Sequence, residues 1–370
     1  MAKQFDRKVV LENGREFYGY GFGANREVIH EIVFNTSMVG YQEIVADPSF
    51  ANQMVCMTYP LIGNCGITDE GADVKETTLG GMIMREYNDL PSNFSYVKTL
   101  AETLEEENIP GIYGMDTRAM TRIIRREGTM KAMITDAVKP LEECLAEIRA
   151  YEIPKNAVET ISCKRRWYSR TANPKYSVVA IDCGVKLSMI RRLNQKGVNV
   201  TIVPHDTTAE EIVELKPDGL FITNGPGNPE DVPGVVEVIK ALRGKLPMFG
   251  VGLGMQLIAL AYGAKTYKMK SGHCGGTHSI KMLKDGRMEV NSQNHFYAVC
   301  GKSVEETDLA VIAVDLIDNT VEAVECAAEN VLGVQYYPDA AQGPDKTFDP
   351  FDDFADMMKK ANVNDGEQVF

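Results

Sequence analysis

Short apolar runs alternate with amphipathic stretches along the second half of the chain, between Tyr176 and Gly263. The apolar runs are SVVAIDCG, VNVTIVP, GLFITNGPG and LPMFGVG, and the stretches between and after them are VKLSMIRRLNQKG, TTAEEIVELK, VVEVIKALRGK and MQLIALAYG. Runs of this kind favour strands, and the amphipathic stretches favour helices of about ten residues. The alternation predicts a parallel, doubly wound sheet with helices on both faces.

The pattern becomes rich in β-type segments after Lys265. These segments are KTYKMK, HSIKML, LAVIAVDL, TVEAVECAA and VLGVQYY. The stretch DPFDDFADMMKKAN then predicts a closing helix. We therefore expect a mixed sheet, in which an antiparallel extension follows the parallel part.

The first part of the chain has a different order of elements. The strand-like segments FYGYGFG, HEIVFNTS, QMVCMTYP and GGMIMREY precede two helix-like stretches, SYVKTLAETLEEEN and DTRAMTRIIRREG. Asp116 is placed to cap the second helix and Gly128 to end it. Residues 151–175 hold two prolines and the single tryptophan without a sustained period, which indicates a linker or an ordered connecting arm. We predict an α/β protein with a mixed N-terminal α/β domain at 1–150 and a C-terminal domain at 176–370.

Composition narrows the function classes. The chain has 370 residues, of which 44% are hydrophobic, enough for two domains with separate cores. Its formal net charge of -13 argues against a nucleic-acid partner. It holds no apolar run of about 18 residues, and MAKQFDRKVVLENG lacks a signal-peptide core, so we expect a cytoplasmic protein without a membrane partner. Eight scattered cysteines without CxxC pairs indicate reduced, mostly buried thiols.

Two loops after predicted parallel strands are candidates for chemistry, because such sheets bind ligands at the carboxyl ends of their strands. One is FITNGPGNPED, where Gly225 and Gly227 form a tight turn. The other is PMFGVGLGMQLIALAYG, in which a helix opens near Met255. Its spacing matches a nucleophile elbow, whose middle residue is a Ser or Cys. Here the middle residue is Gly252, so the turn could hold an anion or a carbonyl group at most.

Motifs along nearly the whole chain carry a family resemblance. The elbow segment resembles the G-[IV]-C-L-G-H-Q signature of class I glutamine amidotransferases. The surroundings are similar to the carbamoyl phosphate synthetase small subunit, through VFNTSMVGYQEIVADPSF, MTYPLIGNCGI, GMDTRAMTRIIRREG, TNGPGNPED, NSQNH and GVQYYPDA. The N-terminal motifs are the most specific, since other amidotransferases of this class lack that domain. The resemblance implies a class I glutamine-amidotransferase-like fold for the C-terminal domain.

The resemblance also implies a reaction that this chain has lost the residues to perform. In the family, the elbow Cys attacks the glutamine side-chain amide, a His acts as base, and a Glu orients that His. The ammonia then travels through a tunnel to the large subunit. Gly252, Tyr337 and Asp339 occupy the Cys, His and Glu positions, and Met255 replaces a His after the elbow. Because Tyr has a pKa near 10, it is a poor base at neutral pH, and we predict no glutaminase activity.

Part of the glutamine pocket is retained on this resemblance. The family's glutamine contacts fall on Ser49, Gly225, Gly227, Leu253, Gln256 and Asn294. Phe296 stands where the pattern Q-N-H-G-F has Gly, and Tyr297 follows it. We expect the phenyl ring to fill space that a ligand backbone would occupy, and binding of glutamine or another small amino acid stays open.

The segment SGHCGGTHSI offers two further interpretations. His273, Cys274 and His278 have metal-ligand side chains, but the family has a His-rich, Gly-rich loop here and no metal is implied. We therefore predict no metal site and a loop or interface role. Cys274 is also the first candidate for a displaced nucleophile, whereas Cys183 is expected to pack in the core.

The function implied is that of a small subunit without glutaminase activity. It would stabilise or regulate a carbamoyl phosphate synthetase large subunit that uses ammonia, ATP and bicarbonate in arginine or pyrimidine synthesis. The N-terminal domain would dock the two subunits. We expect no cofactor on this chain, because it has no GxxxxGK[ST] loop, and ATP with its metal would bind the large subunit. Two alternatives stay open, an active subunit with a displaced nucleophile and a stand-alone scaffold protein.

Overall fold

The computed structural model describes residues 4–68, 77–339 and 349–367, the last five by their backbone alone. The chain divides into two compact units, Met1–Pro154 and Lys155–Phe370. In the described ranges, no helix combines the length and the apolar character needed to cross a membrane.

The first unit is built from short strands and four helices in its described part. The strands are β1 Arg7–Leu11, β2 Glu16–Gly23, β3 Val28–Asn35, β4 Gln53–Met57, β5 Leu61–Ile62, β6 Gly81–Ile83, β7 Glu86–Tyr87, β8 Pro110–Tyr113 and β9 Met130–Asp136. The helices are α1 Tyr41–Val45, α2 Leu100–Glu106, α3 Thr117–Glu127 and α4 Leu141–Ala150. A 3-10 turn, Pro48–Phe50, precedes β4.

Seven of these strands close into a barrel in the order β1-β2-β8-β6-β4-β3-β9. Closure comes from β9, which pairs antiparallel with both β1 and β3, while β4 pairs parallel with β3 and β6. The barrel core includes Val9, Ile32, Met54 and Ile112, all fully buried. Strands β5 and β7 form a separate two-stranded parallel sheet.

Local capping signals set the helix ends in this unit. The Asp116 side chain accepts a hydrogen bond from the Ala119 N–H, and Gly128 ends α3 at a positive φ of 104°. Both ends agree with the sequence prediction. Helix α2 begins later than predicted, because Thr99 and Glu102 form a capping box that fixes its first turn.

The second unit contains the doubly wound sheet. Its helices are α5 Ala157–Ile161, α6 Leu187–Gln195, α7 Ala209–Glu214, α8 Pro233–Leu242, α9 Leu253–Ala261, α10 Gly301–Val304 and α11 Pro350–Glu367. Its strands are β10 Trp167–Ser169, β11 Tyr176–Asp182, β12 Val198–Pro204, β13 Gly219–Ile222, β14 Met248–Val251, β15 Thr266–Met282, β16 Met288–Val299, β17 Ala310–Asp315, β18 Val321–Cys326 and β19 Val331–Val334.

These ten strands form one mixed sheet in the order β10-β12-β11-β13-β14-β19-β18-β17-β15-β16. The pairs from β12 to β19 are parallel, and those from β19 to β16 are antiparallel. The predicted mixed sheet with an antiparallel extension is therefore confirmed.

Helices cover both faces of the parallel part, because its strands are apolar on both sides. Along β11, Val178 and Ala180 join a core with α6 and α11, whereas Val179 and Ile181 join the opposite core with α7, α8 and α9. The alternation of side chains along a strand produces this division.

Residues 151–175 carry ordered elements. They contain α5 and β10, and β10 pairs antiparallel with β12 at the edge of the sheet. The eight cysteines are free thiols, of which Cys65 is exposed and five, including Cys183 and Cys274, are buried.

Candidate functional site

The elbow predicted from the sequence is formed between β14 and α9. Gly252 has φ 58° and ψ -114°, a combination that L side chains rarely adopt. Its N–H donates to the carbonyl oxygen of Val334, 2.8 Å away, which fixes the turn against the end of β19. A Cβ on Gly252 would lie 3.5 Å from the Asn224 Cβ, an ordinary contact distance. The turn thus retains space for a side chain, and this chain has none there.

Glycines beside Gly252 are required by close backbone approach. A Cβ on Gly254 would overlap the carbonyl oxygen of Ile222, and one on Gly250 would lie 2.6 Å from the Gly254 carbonyl carbon. The TNGPG loop after β13 has the same property, because a Cβ on Gly225 would overlap the Cys183 carbonyl oxygen. The turn architecture of an elbow is therefore preserved around Gly252.

Tyr337 and Asp339 lie just beyond β19. Tyr337 is 4% exposed, and its N–H donates to the Ser292 carbonyl oxygen at 2.9 Å. The Lys186 ammonium lies 4.5 Å from the centre of the Tyr337 ring, within the range of a cation–π contact. Asp339 accepts bonds at Oδ2 from Lys186 Nζ at 2.8 Å and from Ser188 Oγ at 2.6 Å. The residue that the sequence resemblance assigns to the base-orienting position is therefore bonded to a lysine.

The Lys186–Asp339 ion pair is buried, with side-chain exposures of 6% and 2%. Burial by itself raises the pKa of the Asp339 carboxyl, but the charge of Lys186 and the hydrogen bonds from Lys186 and Ser188 lower that pKa below its ordinary value. Asp339 is thus a carboxylate held by a cation. Sequence reasoning did not identify Lys186 as part of this group.

The predicted pocket residues Gln256, Asn294 and Leu253 are held in place by neighbouring groups of the second unit. Gln256 Nε2 donates to the Tyr297 carbonyl oxygen at 2.8 Å and to Gln335 Oε1 at 3.0 Å. Asn294 Oδ1 accepts a bond from the Cys274 thiol at 3.4 Å. Leu253, 3% exposed, starts α9 and packs in the core.

Phe296 packs against a glycine. A Cβ on Gly272 would lie 2.5 Å from the Phe296 ring, so the ring occupies the space that this glycine leaves open. Phe296 is 7% exposed, and Gly272 has a positive φ of 65°. Gly227, with φ 86°, is in the loop that follows β13. Ser49 belongs to the first unit, where it is buried in the turn Pro48–Phe50 and its N–H bonds to Asp47.

Histidines of SGHCGGTHSI lie in the strand β15, whereas the sequence suggested a loop. His273 Nε2 lies 3.0 Å from Asp318 Oδ2, and Nδ1 lies 3.1 Å from Gln293 Oε1. Burial lowers the pKa of His273, but Glu322 and Asp318 raise it overall to about 9. Burial raises the pKa of Glu322 to about 7 despite His273. Sequence reasoning did not identify these acidic partners, which lie between 40 and 50 residues further along the chain.

Comparisons with known proteins agree with this architecture. Residues 9–134 match the family "Carbamoyl-phosphate synthase small chain, CPSase domain", and residues 179–357 match "Glutamine amidotransferase class-I". The carbamoyl phosphate synthase small chain of Oceanobacillus iheyensis is 43% identical over 98% of this chain and 99% of its own length. That of Staphylococcus saprophyticus is 44% identical over 96% of each chain.

A third relative, the carbamoyl phosphate synthase small chain of Fusobacterium nucleatum, is 43% identical over 95% of this chain and 97% of its own length. The matches to these relatives cover most of both units. The chain therefore belongs to the carbamoyl phosphate synthase small chain family.

Proposed function

We propose that this chain is a carbamoyl phosphate synthase small subunit without glutaminase activity. In this role it stabilises or regulates a large subunit that makes carbamoyl phosphate from ammonia, bicarbonate and ATP. The observation that carries the proposal is the elbow at Gly252, which has the strained backbone of a nucleophile position and no atom that can attack an amide.

The groups beyond β19 support the same conclusion. A glutaminase needs a base beside its nucleophile and an acid that orients the base. A tyrosine side chain is in general a poor base at neutral pH, and the Tyr337 ring lies against the Lys186 ammonium. Asp339 Oδ2 already accepts hydrogen bonds from Lys186 and Ser188. Proton transfer from a nucleophile to glutamine nitrogen has no suitable carrier in this arrangement.

Two buried thiols of the second unit, Cys274 and Cys183, are poor substitutes for the missing nucleophile. Cys274 is buried in β15, where its thiol donates to Asn294, and a strand interior lacks the helix N-terminus of an elbow. Burial raises the pKa of the Cys183 thiol well above its ordinary value, so the reactive thiolate is scarce at neutral pH.

A large-subunit partner follows from the family, and the first unit has surface suited to docking. Met38 and Val39 in the segment VFNTSMVGYQE are 66% and 69% exposed, and Phe94 is 99% exposed. Large apolar side chains exposed next to one another, as Met38 and Val39 are along the chain, often mark a protein interface. We propose that this unit retains the docking role of the family.

The deciding experiment measures carbamoyl phosphate formation by this chain mixed with its cognate large subunit, with glutamine or ammonium as the nitrogen donor. We expect synthesis with ammonium only, and no glutamate release from glutamine by the mixture. Glutamine-driven synthesis would overturn the proposal. The variants Cys274→Ser and Cys183→Ser serve as matched controls, since loss of glutamine-driven synthesis in one of them would locate a displaced nucleophile.

A second arm tests the role toward the large subunit. Ammonium-dependent synthesis and thermal inactivation of the large subunit are compared with and without this chain. We expect slower inactivation or altered ammonium-dependent kinetics when this chain is present. Identical behaviour, together with no co-elution in gel filtration, would favour the scaffold alternative.

A further inference from the structure

Three strands of the antiparallel extension bring polar side chains to one place on the sheet. His278 on β15 pairs directly with Asn291 on β16, and Ile280 pairs with Asp315 on β17. Paired residues of antiparallel strands project to the same face, and residues two apart on a strand share that face. His278, Asn291 and Asp315 therefore converge on one face of the sheet.

Two of these side chains are buried with hydrogen-bonding atoms unused. Asn291 is 2% exposed, and neither atom of its amide group has a hydrogen-bond partner among the described residues. Asp315 is fully buried, and only its Oδ1 accepts bonds, from the Ile317 and Asp318 N–H groups. Its Oδ2 has no partner among the residues that the structure describes. Buried polar groups left unpaired are costly, and a carboxylate more so than an amide, which points to a ligand.

The side chains around these atoms are metal ligands by chemistry. One ligand atom each from His273, His278 and Asp315 lie within 4.8 Å of one another. The two imidazole rings have centres 4.8 Å apart and are tilted by 32°. Two imidazole nitrogens with one carboxylate oxygen suit Zn²⁺, which takes such donors in tetrahedral sites.

We propose that His273, His278 and Asp315 bind one zinc-class divalent cation, with the Asn291 amide oxygen as the fourth ligand. Tetrahedral bonds of about 2.0–2.2 Å place donor atoms about 3.4 Å apart. The widest pair must therefore close by up to about 1.4 Å, a movement that side-chain rotation supplies. The metal would link β15, β16 and β17, so its role is structural.

A neighbouring group of possible ligands, His273 with His295 and Glu322, is a weaker candidate. Gln293 already bonds all three, through Oε1 to both rings and through Nε2 to the carboxylate. In the proposed site, His273 gives up one of its two present hydrogen bonds. If that bond is the one to Gln293, Asp318 at 3.0 Å continues to orient the ring, as carboxylates do behind metal-bound histidines.

A zinc site at this place would contradict the prediction from the sequence that SGHCGGTHSI binds no metal. The sequence motif contains the two histidines and Cys274, but the donors that complete the set come from two other strands. Cys274 projects elsewhere, since its thiol bonds to Asn294.

The experiment uses the full chain after dialysis against a chelator, with Cys65→Ser as background to remove the exposed thiol. Zinc content after equilibration with micromolar Zn²⁺ is measured by mass spectrometry, and Co²⁺ substitution is followed by visible absorption. We expect one metal per chain, a tetrahedral Co²⁺ spectrum without thiolate bands, and a higher unfolding temperature with zinc.

His278→Gln and Asp315→Asn should weaken zinc binding by about tenfold or more. His30→Gln, which changes a partly buried histidine of the first unit, is the matched control and should bind as the parent does. Should Asp315→Asn fail to fold, His278→Gln alone decides, since this side chain is only partly buried. Equal zinc binding by parent and His278→Gln, or no binding by the parent, would overturn the proposal.

Discussion

Replacing Lys186 by Met should destabilise the second unit by about 3–5 kcal/mol, because it leaves a buried carboxylate without its cation. The ammonium and the Asp339 carboxylate are 2.8 Å apart, and their side chains are 6% and 2% exposed. At that separation, their attraction is about 6 kcal/mol for an effective dielectric constant of about 20. Ser188 would remain as a hydrogen-bond donor to Asp339 and recover part of this loss.

The double variant Lys186→Met with Asp339→Leu separates the ion pair from the packing. Apolar replacement of both partners removes the desolvation cost as well as the attraction, so we expect a smaller loss than for Lys186→Met alone. Lys240→Met is the matched control, since its ion pair with Glu237 on α8 has side-chain exposures of 48% and 70%. A pair of that kind contributes at most about 0.5 kcal/mol.

Urea unfolding followed by tryptophan fluorescence measures this change. Trp167 is the only tryptophan of the chain and lies on β10, so its emission reports on the second unit. The free energy of unfolding should fall through a lower midpoint at an unchanged m-value. A loss for Lys186→Met below about 1 kcal/mol, close to that of Lys240→Met, would refute the reasoning that this ion pair holds the site together.

Three further predictions concern backbone, charge and capping. Gly252→Ala should lower the free energy of unfolding by about 1–3 kcal/mol, since only backbone strain opposes the added methyl group. Gly254→Ala should lower it further, because its Cβ would overlap a carbonyl oxygen. Equal losses for the two variants in urea unfolding would contradict this order. Burial lowers the pKa of His30 to about 4 from an ordinary value near 6.5. The unfolded state therefore binds the extra proton between these values, and stability of the first unit should fall as the pH drops from about 6.5 to 4, by up to about 1.4 kcal/mol per pH unit. The stability measured by hydrogen exchange of β3 should depend less steeply on pH in His30→Gln than in the parent protein. An unchanged slope would disprove the role given to His30. Thr208→Ala removes the capping box of α7 and should cost about 1 kcal/mol in thermal unfolding, while Thr207→Ala should cost less; the reverse order would speak against the cap.

The sequence predicted the doubly wound part of the fold because each βα unit is specified locally. Apolar runs such as SVVAIDCG are followed at once by an amphipathic helix, and the period changes from one to the other. Barrel closure in the first unit was not predicted, because it depends on pairing Arg7 with Asp136 across the length of the unit. Local periodicity contains no information on the pairing of strands that lie so far apart in the sequence.

The antiparallel extension shows a second limit. KTYKMK and HSIKML, predicted as two strands, are the two ends of the single strand β15, and the glycines between them accompany shifts in register rather than a loop. The pattern predicts VLGVQYY as part of the β-rich extension, but β19 pairs parallel with β14 in the middle of the sheet. Strand order depends on which edges meet after the helices are placed, and composition does not reveal it.

In the candidate site, too, the sequence predicts local features and misses contacts between distant residues. The position of Gly252 follows from glycine spacing between a strand and a helix, a signal confined to five residues. Lys186 precedes Asp339 by 153 residues, and an isolated lysine at the start of a helix gives no sign of a buried partner. Among the described residues, Asp315 Oδ2 and the Asn291 amide lack hydrogen-bond partners because of cross-strand packing, which the sequence does not reveal.

The closed barrel of the first unit limits how that unit can recognise another protein. In its described part, each of the seven strands has a neighbour on both sides, so an incoming segment finds no free main-chain edge to lengthen the sheet. Recognition through the barrel then depends on side chains at its surface, which can be exchanged without breaking the ladder that holds the barrel. Partner preference in such a unit can drift by single substitutions at the surface while the framework stays constant.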